Sequence, residues 1–238
     1  MTDIKIISFG YRCSGATLLQ NLYLKHESYP FDWLVSKLDV IEHCIETNFI
    51  EFLNVDNYIT LNTKTYNTID DQQYFILDEI SQINTFYDKN TDHHSTYDYS
   101  LAISHHNMSN NDDYEYYKRC IKRLYEFLET DNNKNYIYLH PLMGMNDFEQ
   151  KKDEILTLFE HFNHFILTKT KNIFGLYFIL VRNNDDIKSI KLIETQTYVV
   201  HIIHFNDNLF DAANPFMGIG HLETGEILTI IRKYAKSI

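Results

Sequence analysis

The run Ile4-Lys5-Ile6-Ile7-Ser8-Phe9-Gly10-Tyr11-Arg12-Cys13-Ser14-Gly15-Ala16 decides the fold. Its apolar first half reads as a buried strand, Gly10 as the turn, and the small residues from Cys13 onward as a helix start, so residues 4–25 form a strand–turn–helix unit. A thiol at that junction is a nucleophile candidate. First-turn backbone N–H groups and the positive end of the helix dipole favour thiolate over thiol, as does the guanidinium of Arg12 beside it. The competing assignment is a cysteine that serves as a small buried hydrophobe.

Working outward, short β-rich runs alternate with stripes of helical period. Strands are predicted at residues 5–9, 74–77, 99–103, 136–139, 176–181 and 198–205, with further ones at 165–168 and 187–193. Leu18, Leu19, Leu22 and Tyr23 make one helical stripe. Val40, Ile41, Cys44, Ile45 and Phe49 make another, behind a capping pattern at Ser36 and Asp39. A helix over 113–129 holds Tyr114, Tyr117, Ile121, Leu124, Tyr125 and Leu128 on one face; others cover 147–161, burying Phe148, Ile155, Leu158 and Phe159, and 223–234, burying Ile227, Leu228 and Ile231. The polar stretches 54–73 and 84–98 read as surface excursions, too short and mixed for linkers. Alternating strands and helices imply one α/β domain over 1–238: a mainly parallel sheet covered by helices on both faces.

Two blocks carry a resemblance. Ser8-Phe9-Gly10-x-x-Cys13-x-x-Ala16, followed by Ser28-Tyr29-Pro30-Phe31-Asp32-Trp33-Leu34-Val35-Ser36, resembles bacterial and large-virus proteins catalogued as putative papain-like cysteine peptidases, with their Ser-Leu-Gly-x-x-Cys start and Ser-x-Pro-Phe-Asp-Trp block. The likeness continues at Ser104-His105-His106-Asn107, where the family has a histidine near a strand end. It reaches Tyr117-Lys118-Arg119-Cys120-Ile121-Lys122-Arg123-Leu124, where the family has a basic helix, and so covers about the first 130 residues. Phe9 stands where leucine is usual, two histidines where one is expected, and the basic pattern is shifted. The resemblance implies a thiol enzyme and, as an alternative fold, the papain-like α+β arrangement with a helical half and a barrel-like half. The alternation along this chain points instead to the parallel sheet.

Composition sets bounds. A chain of 238 residues with 44% hydrophobic content is long enough for one full core. A formal net charge of −12 argues against nucleic acid or an anionic membrane surface as the main partner, since both need a basic footprint. A peptide, acyl or glycan-type substrate fits better, and no cofactor is implied. No apolar run reaches bilayer length and the first residues do not read as a signal peptide, so a cytoplasmic protein is expected, in host cytoplasm or virion if the source is viral. The three cysteines, Cys13, Cys44 and Cys120, fit free thiols in a reducing compartment. Scarce Gly and Pro beside abundant Asn, Ile, Tyr and Asp suggest an AT-rich genome, as in a large DNA virus or a low-GC bacterium.

In an open parallel sheet, ligands sit beyond the carboxyl ends of the strands. Cys13 follows the first strand at such an end; His105 and His106 follow the strand 99–103, at the same edge if that strand runs parallel to the first. A Cys–His pair needs an imidazole within hydrogen-bond reach of sulfur, and of the two adjacent histidines one can face the thiol, with His105 preferred. Asp32, a charge inside an apolar block, is the orienting carboxylate, or else a structural anchor for a turn or for N–H groups near Ser36. Gly10 permits close backbone approach, with N–H groups around Cys13 and Ser14 as the oxyanion site. Arg119 and Arg123, four apart on one helix, suit a carboxylate or phosphate, or else salt bridges to Glu115 and Glu126.

Other patterns weigh less. His201 and His204 point to opposite faces of a strand, His161 and His164 read as a helix-end cap, and Gly218-Ile219-Gly220 lacks the third glycine of a nucleotide turn. Without Cys-x-x-Cys or His-Glu-x-x-His no metal site is expected. The leading function is a cysteine-dependent hydrolase with Cys13 as nucleophile, His105 as base then acid, and Asp32 orienting it. The alternatives are a thiol-dependent acyltransferase in glycan biosynthesis, with Arg119 and Arg123 on an anionic carrier, and a non-catalytic binding protein. Geometrically, Cys13 should begin a helix at a sheet edge, and His105 or His106, rather than His140, His201 or His204, should be its nearest imidazole.

Overall fold

The computed structural model describes residues 5–10, 13–61, 66–69, 72–75, 81–89, 99–103, 106–182, 189–205 and 221–235. In chain order these form β1 (Lys5–Ser8), α1 (Cys13–Asn21), β2 (Leu34–Ser36), α2 (Leu38–Glu46), α3 (Ile50–Leu53), β3 (Tyr58–Leu61), β4 (Tyr66–Ile69), β5 (Gln72–Phe75), β6 (Ser81–Asn84), β7 (Leu101–Ile103), α4 (Asn111–Glu129), β8 (Lys134–Gly144), α5 (Met145–Lys169), β9 (Ile173–Arg182), β10 (Ser189–Glu194), β11 (Tyr198–Phe205) and α6 (His221–Ala235). The main sheet has the order β1-β8-β9-β11-β10. Its first four strands are mutually parallel, and β10 closes one edge antiparallel to β11.

Alternation along the central strands sorts the core into two layers. Tyr136 and Tyr138 of β8, with Tyr177, Ile179 and Val181 of β9, pack with Phe148, Phe159, Phe162 and Ile166 of α5. The intervening residues Ile137, Leu139, Leu176, Phe178 and Leu180 pack with Leu18 and Leu19 of α1 and Ile227, Ile230 and Ile231 of α6. Helices therefore cover both faces of a mostly parallel sheet, as alternation predicts, in a mixed α/β fold.

The excursion between α1 and α4 builds a second sheet of order β2-β7-β6-β3, antiparallel throughout. Its Val35, Leu101, Ala102 and Ile83 join the core that holds Phe9, Tyr136 and Tyr177. This corrects three expectations. Residues 99–103 contribute β7 to the antiparallel sheet, not to the parallel one. The polar stretch 54–73 contains β3 and the hairpin strand β4, whose partner is β5. Residues 165–168, expected as a strand, belong to α5, because Phe162, Phe165 and Ile166 extend the stripe begun by Ile155 and Phe159. His161 accordingly sits inside α5 and not at its end. Among the described residues no helix is long and apolar enough to cross a membrane. Gly218-Ile219-Gly220 lies outside the described residues.

Candidate active site at the carboxyl edge of the parallel sheet

Local hydrogen bonding places Cys13. The Phe9 N–H donates to Ile137 O at 3.0 Å, carrying the β1–β8 ladder one residue past the strand. Ser8 Oγ then accepts the Gly10 N–H at 3.0 Å, and Ser36 Oγ donates to Gly10 O at 3.2 Å, so both polar groups of Gly10 are held. The helix α1 begins at Cys13, and Thr17 Oγ1 donates back to Cys13 O at 2.9 Å. Ser36 is thus not a helix cap: the N-cap of α2 is Lys37, whose side chain makes no capping bond, and the Ser36 hydroxyl bonds Gly10 O instead.

Surroundings separate the three thiols, which form no disulfide. Cys44 is buried with Tyr87 Oη 3.3 Å from its sulfur, and burial pushes its thiol up to about 12. Cys120 is buried beside Arg123 Nη1, at 3.8 Å, and burial raises it too. Cys13 is half-exposed at the head of its helix. Ser14, next to it, is half-exposed as well.

Topology gives this edge its importance. β1 and β8 are adjacent and parallel, yet α1 packs on one face of the sheet and α5, which follows β8 directly, packs on the other. Helices leaving neighbouring strands to opposite faces mark a switch point, the place at which open α/β sheets bind ligands. Cys13 is the first residue of the helix that borders it. His140, near the end of β8, lies at the same edge, but its ring sits 6.1 Å from Phe159 on the α5 face, away from Leu18 and Leu19 of α1. Burial lowers its imidazole to about 4.

Asp32 is wholly buried. Its Oδ2 pairs with Lys25 Nζ and accepts the Tyr29 N–H at 2.7 Å, so the N–H it binds is that of Tyr29 and not one near Ser36. Burial pushes its carboxyl above the ordinary aspartate value, against the pull of Lys25 and of the Tyr29 N–H. Its Oδ1 has no hydrogen-bond partner among the described residues. The Lys25 N–H bonds Leu19 O, which ties Asp32 to the C-terminal turn of α1 while Cys13 heads its first turn.

His105 and Arg12 lie outside the described residues. Ser36, bonded to Gly10, pairs with Leu101, and Leu34 pairs with Ile103, two residues before His105 in sequence. The expectation of a shared edge rested on β7 joining the parallel sheet; β7 instead belongs to the antiparallel sheet, where Leu101 pairs with the Ser36 that holds Gly10 O. His106 has a different partner: its Nδ1 is 2.7 Å from Asp113 Oδ1 and its ring stacks on Tyr116 at 4.5 Å. Burial alone would raise the Asp113 carboxyl, but the Asn107 N–H and His106 outweigh it and hold the group below its ordinary value.

The two arginines diverge. Arg119 is exposed, whereas Arg123 Nη1 reaches the Ser28 carbonyl at 3.2 Å. Glu115 is paired with Lys118, and Glu126 with Lys122, in place of the arginines. Sequence reading missed Lys25 as the partner of Asp32, and Asp113 as the partner of His106; an acid seven residues from a base, with a bend between them, has no periodic signature. Among the described residues no three His, Cys, Asp or Glu side chains are grouped to hold a metal.

A family model described as putative papain-like cysteine peptidase matches residues 4–184, a span from β1 through the end of β9. No curated protein and no solved structure matches the chain.

Proposed function

Because the chain belongs to the family described as putative papain-like cysteine peptidases, we propose that it is a cysteine-dependent hydrolase working through an acyl-enzyme, with Cys13 as the nucleophile. The observation that carries this reading is the place of Cys13: a half-exposed thiol at the head of a helix, on the switch-point edge of the parallel sheet. The first four N–H groups of a helix have no partner within it, and the dipole adds positive potential there. Both favour the thiolate.

In the forward step the Cys13 sulfur adds to the acyl carbon of a peptide or related acyl substrate, and the carbonyl oxygen becomes an oxyanion received by N–H groups of the first turn, at Cys13 and Ser14. The base, His105, takes the thiol proton and delivers it to the leaving amine or alcohol as the carbon–heteroatom bond breaks. Water then adds to the thioester, giving its proton to His105; collapse releases the acid and returns the proton to sulfur. Gly10 cannot serve as an oxyanion donor in this arrangement, since Ser8 Oγ occupies its N–H.

Asp32 has two duties in this reading. Oδ2 anchors Lys25 and Tyr29, and Oδ1 accepts from His105. Support comes from a buried carboxylate oxygen that has no hydrogen-bond partner among the described residues, and from the β2–β7 ladder, whose last pair, Leu34 and Ile103, is two residues in sequence from each. Alkylation of Cys13 by iodoacetamide, followed by mass spectrometry from pH 5 to 9, tests the assignment in His105→Ala, His106→Ala and His140→Ala. His105→Ala should lose the fast low-pH phase while the other two keep it. If His140→Ala alone loses that phase, the base has been misassigned; if none does, sulfur has no histidine partner.

A further inference from the structure

We infer that Ser8 and Gly15 form a matched seat that sets the position of the Cys13 thiol, which makes both of them positioning residues; the inference rests on the reading of Cys13 as nucleophile. Gly15 is buried in the first turn of α1, two residues after Cys13. A Cβ built on it would collide with Ser8 Oγ, and would lie 3.2 Å from Ser8 Cβ and 3.7 Å from Gly10 Cα. With the Ser8 side chain in place, residue 15 has no room for a Cβ, while the nearest backbone atom, Gly10 Cα, would be at ordinary contact distance.

Glycine inside a helix costs about 1 kcal/mol relative to alanine, a burden for a helix of nine residues. The close approach explains its presence. Ser8 is 1% exposed, so its hydroxyl cannot turn to solvent, and its Oγ accepts the Gly10 N–H. The turn is pinned on its other sides by Ser36 Oγ on Gly10 O and by the Phe9 N–H on Ile137 O. A methyl group on residue 15 therefore has two outlets. It expels the Ser8 hydroxyl and frees the Gly10 N–H, or it lifts the first turn of α1 off the strand. Either displaces Cys13 relative to the sheet edge, although neither Ser8 nor Gly15 touches the reacting atoms.

The test is a double-mutant cycle read by the pH profile of Cys13 alkylation, with thermal unfolding run alongside. Gly15→Ala should slow alkylation at neutral pH by about tenfold or more, and move the profile toward the free-thiol value of about 8.5. In the Ser8→Gly background the same change should cost less than about twofold, since the atoms it would strike are gone. Equal slowing in both backgrounds, or none in either, overturns the seat. Should Gly15→Ala fail to fold, recovery of folding in Ser8→Gly/Gly15→Ala shows the same coupling, and failure of both overturns it. Failure of the underlying reading looks different: wild-type Cys13 would then react no faster than an ordinary thiol at any pH.

Discussion

Cys13 differs from Cys44 and Cys120 by what surrounds the sulfur. The other two are buried thiols whose environment raises them, so a thiol-directed reagent at neutral pH should find Cys13 first. Cys13→Ser, a change small in volume, should shift the unfolding midpoint little and abolish that labelling. A variant that unfolds early, from a wild type whose Cys13 never labelled, would identify a packing residue instead. Asp32→Asn removes one partner from a buried ion pair and leaves Lys25 uncompensated, which predicts a loss of roughly 1.5–3 kcal/mol in denaturant unfolding. If stability is unchanged while turnover falls, Oδ2 is not the anchor described.

At the scale of elements, β8 and β9 are bound by a buried polar chain as well as by apolar packing. Tyr136 Oη lies 3.0 Å from Asn163 Oδ1 and 2.6 Å from Tyr177 Oη, which lies 3.1 Å from Phe159 O, so two phenol protons are shared among three contacts. Asn163 Nδ2 continues to Thr197 Oγ1 at 3.0 Å. Gly175 makes room for it: a Cβ there would lie 2.5 Å from Tyr136 Oη and 2.6 Å from its Cζ. Gly175→Ala should therefore cost about 1–3 kcal/mol by overpacking, visible as a lowered denaturant midpoint, whereas a neutral result would mean that Tyr136 has room to move. The central strands of this sheet were legible as continuous apolar runs rich in aromatic and β-branched residues, as expected where both faces are buried, and β11 matches its predicted span, 198–205, to the residue. α5 was legible only to His161, since Phe162, Phe165 and Ile166 look alike as strand or helix once charged residues stop marking the outer face. β2 was hidden inside the Ser28–Ser36 block, three residues being too few for any period. β1 and α1 lie on either side of Gly10, where the sequence put a strand and a helix start; the bonds that Ser8 and Ser36 make to Gly10 join residues up to 26 apart and leave no local pattern.

For the molecule as a whole, two histidines in the parallel sheet link stability to pH. His201 is 6% exposed between Phe178 and Tyr234, and neither ring nitrogen has a hydrogen-bond partner among the described residues. Burial first, then Lys233 and Lys191, lowers it to about 4; burial likewise lowers His140 to about 4. The folded state keeps both neutral, while the unfolded chain takes up protons near pH 6.5. Their contribution is thus fully present above about 6.5 and is lost as pH falls toward 4, on the order of 3 kcal/mol for His201. Unfolding midpoints measured from pH 7 to 4.5 should fall, and His201→Phe, which fits between the two aromatic rings, should flatten the decline. An identical acid slope in that variant would mean that His201 does not link stability to pH.

As the nucleophile, Cys13 would carry an acyl group during turnover. Brief mixing with an activated ester, acid quenching and intact-mass measurement test it directly. One added acyl group is expected, mapped by peptide sequencing to Cys13, formed by the folded wild type and absent from Cys13→Ser and from unfolded protein. Acyl groups spread over Cys44, Cys120 and lysines, or an adduct that persists undiminished in Cys13→Ser, would contradict it.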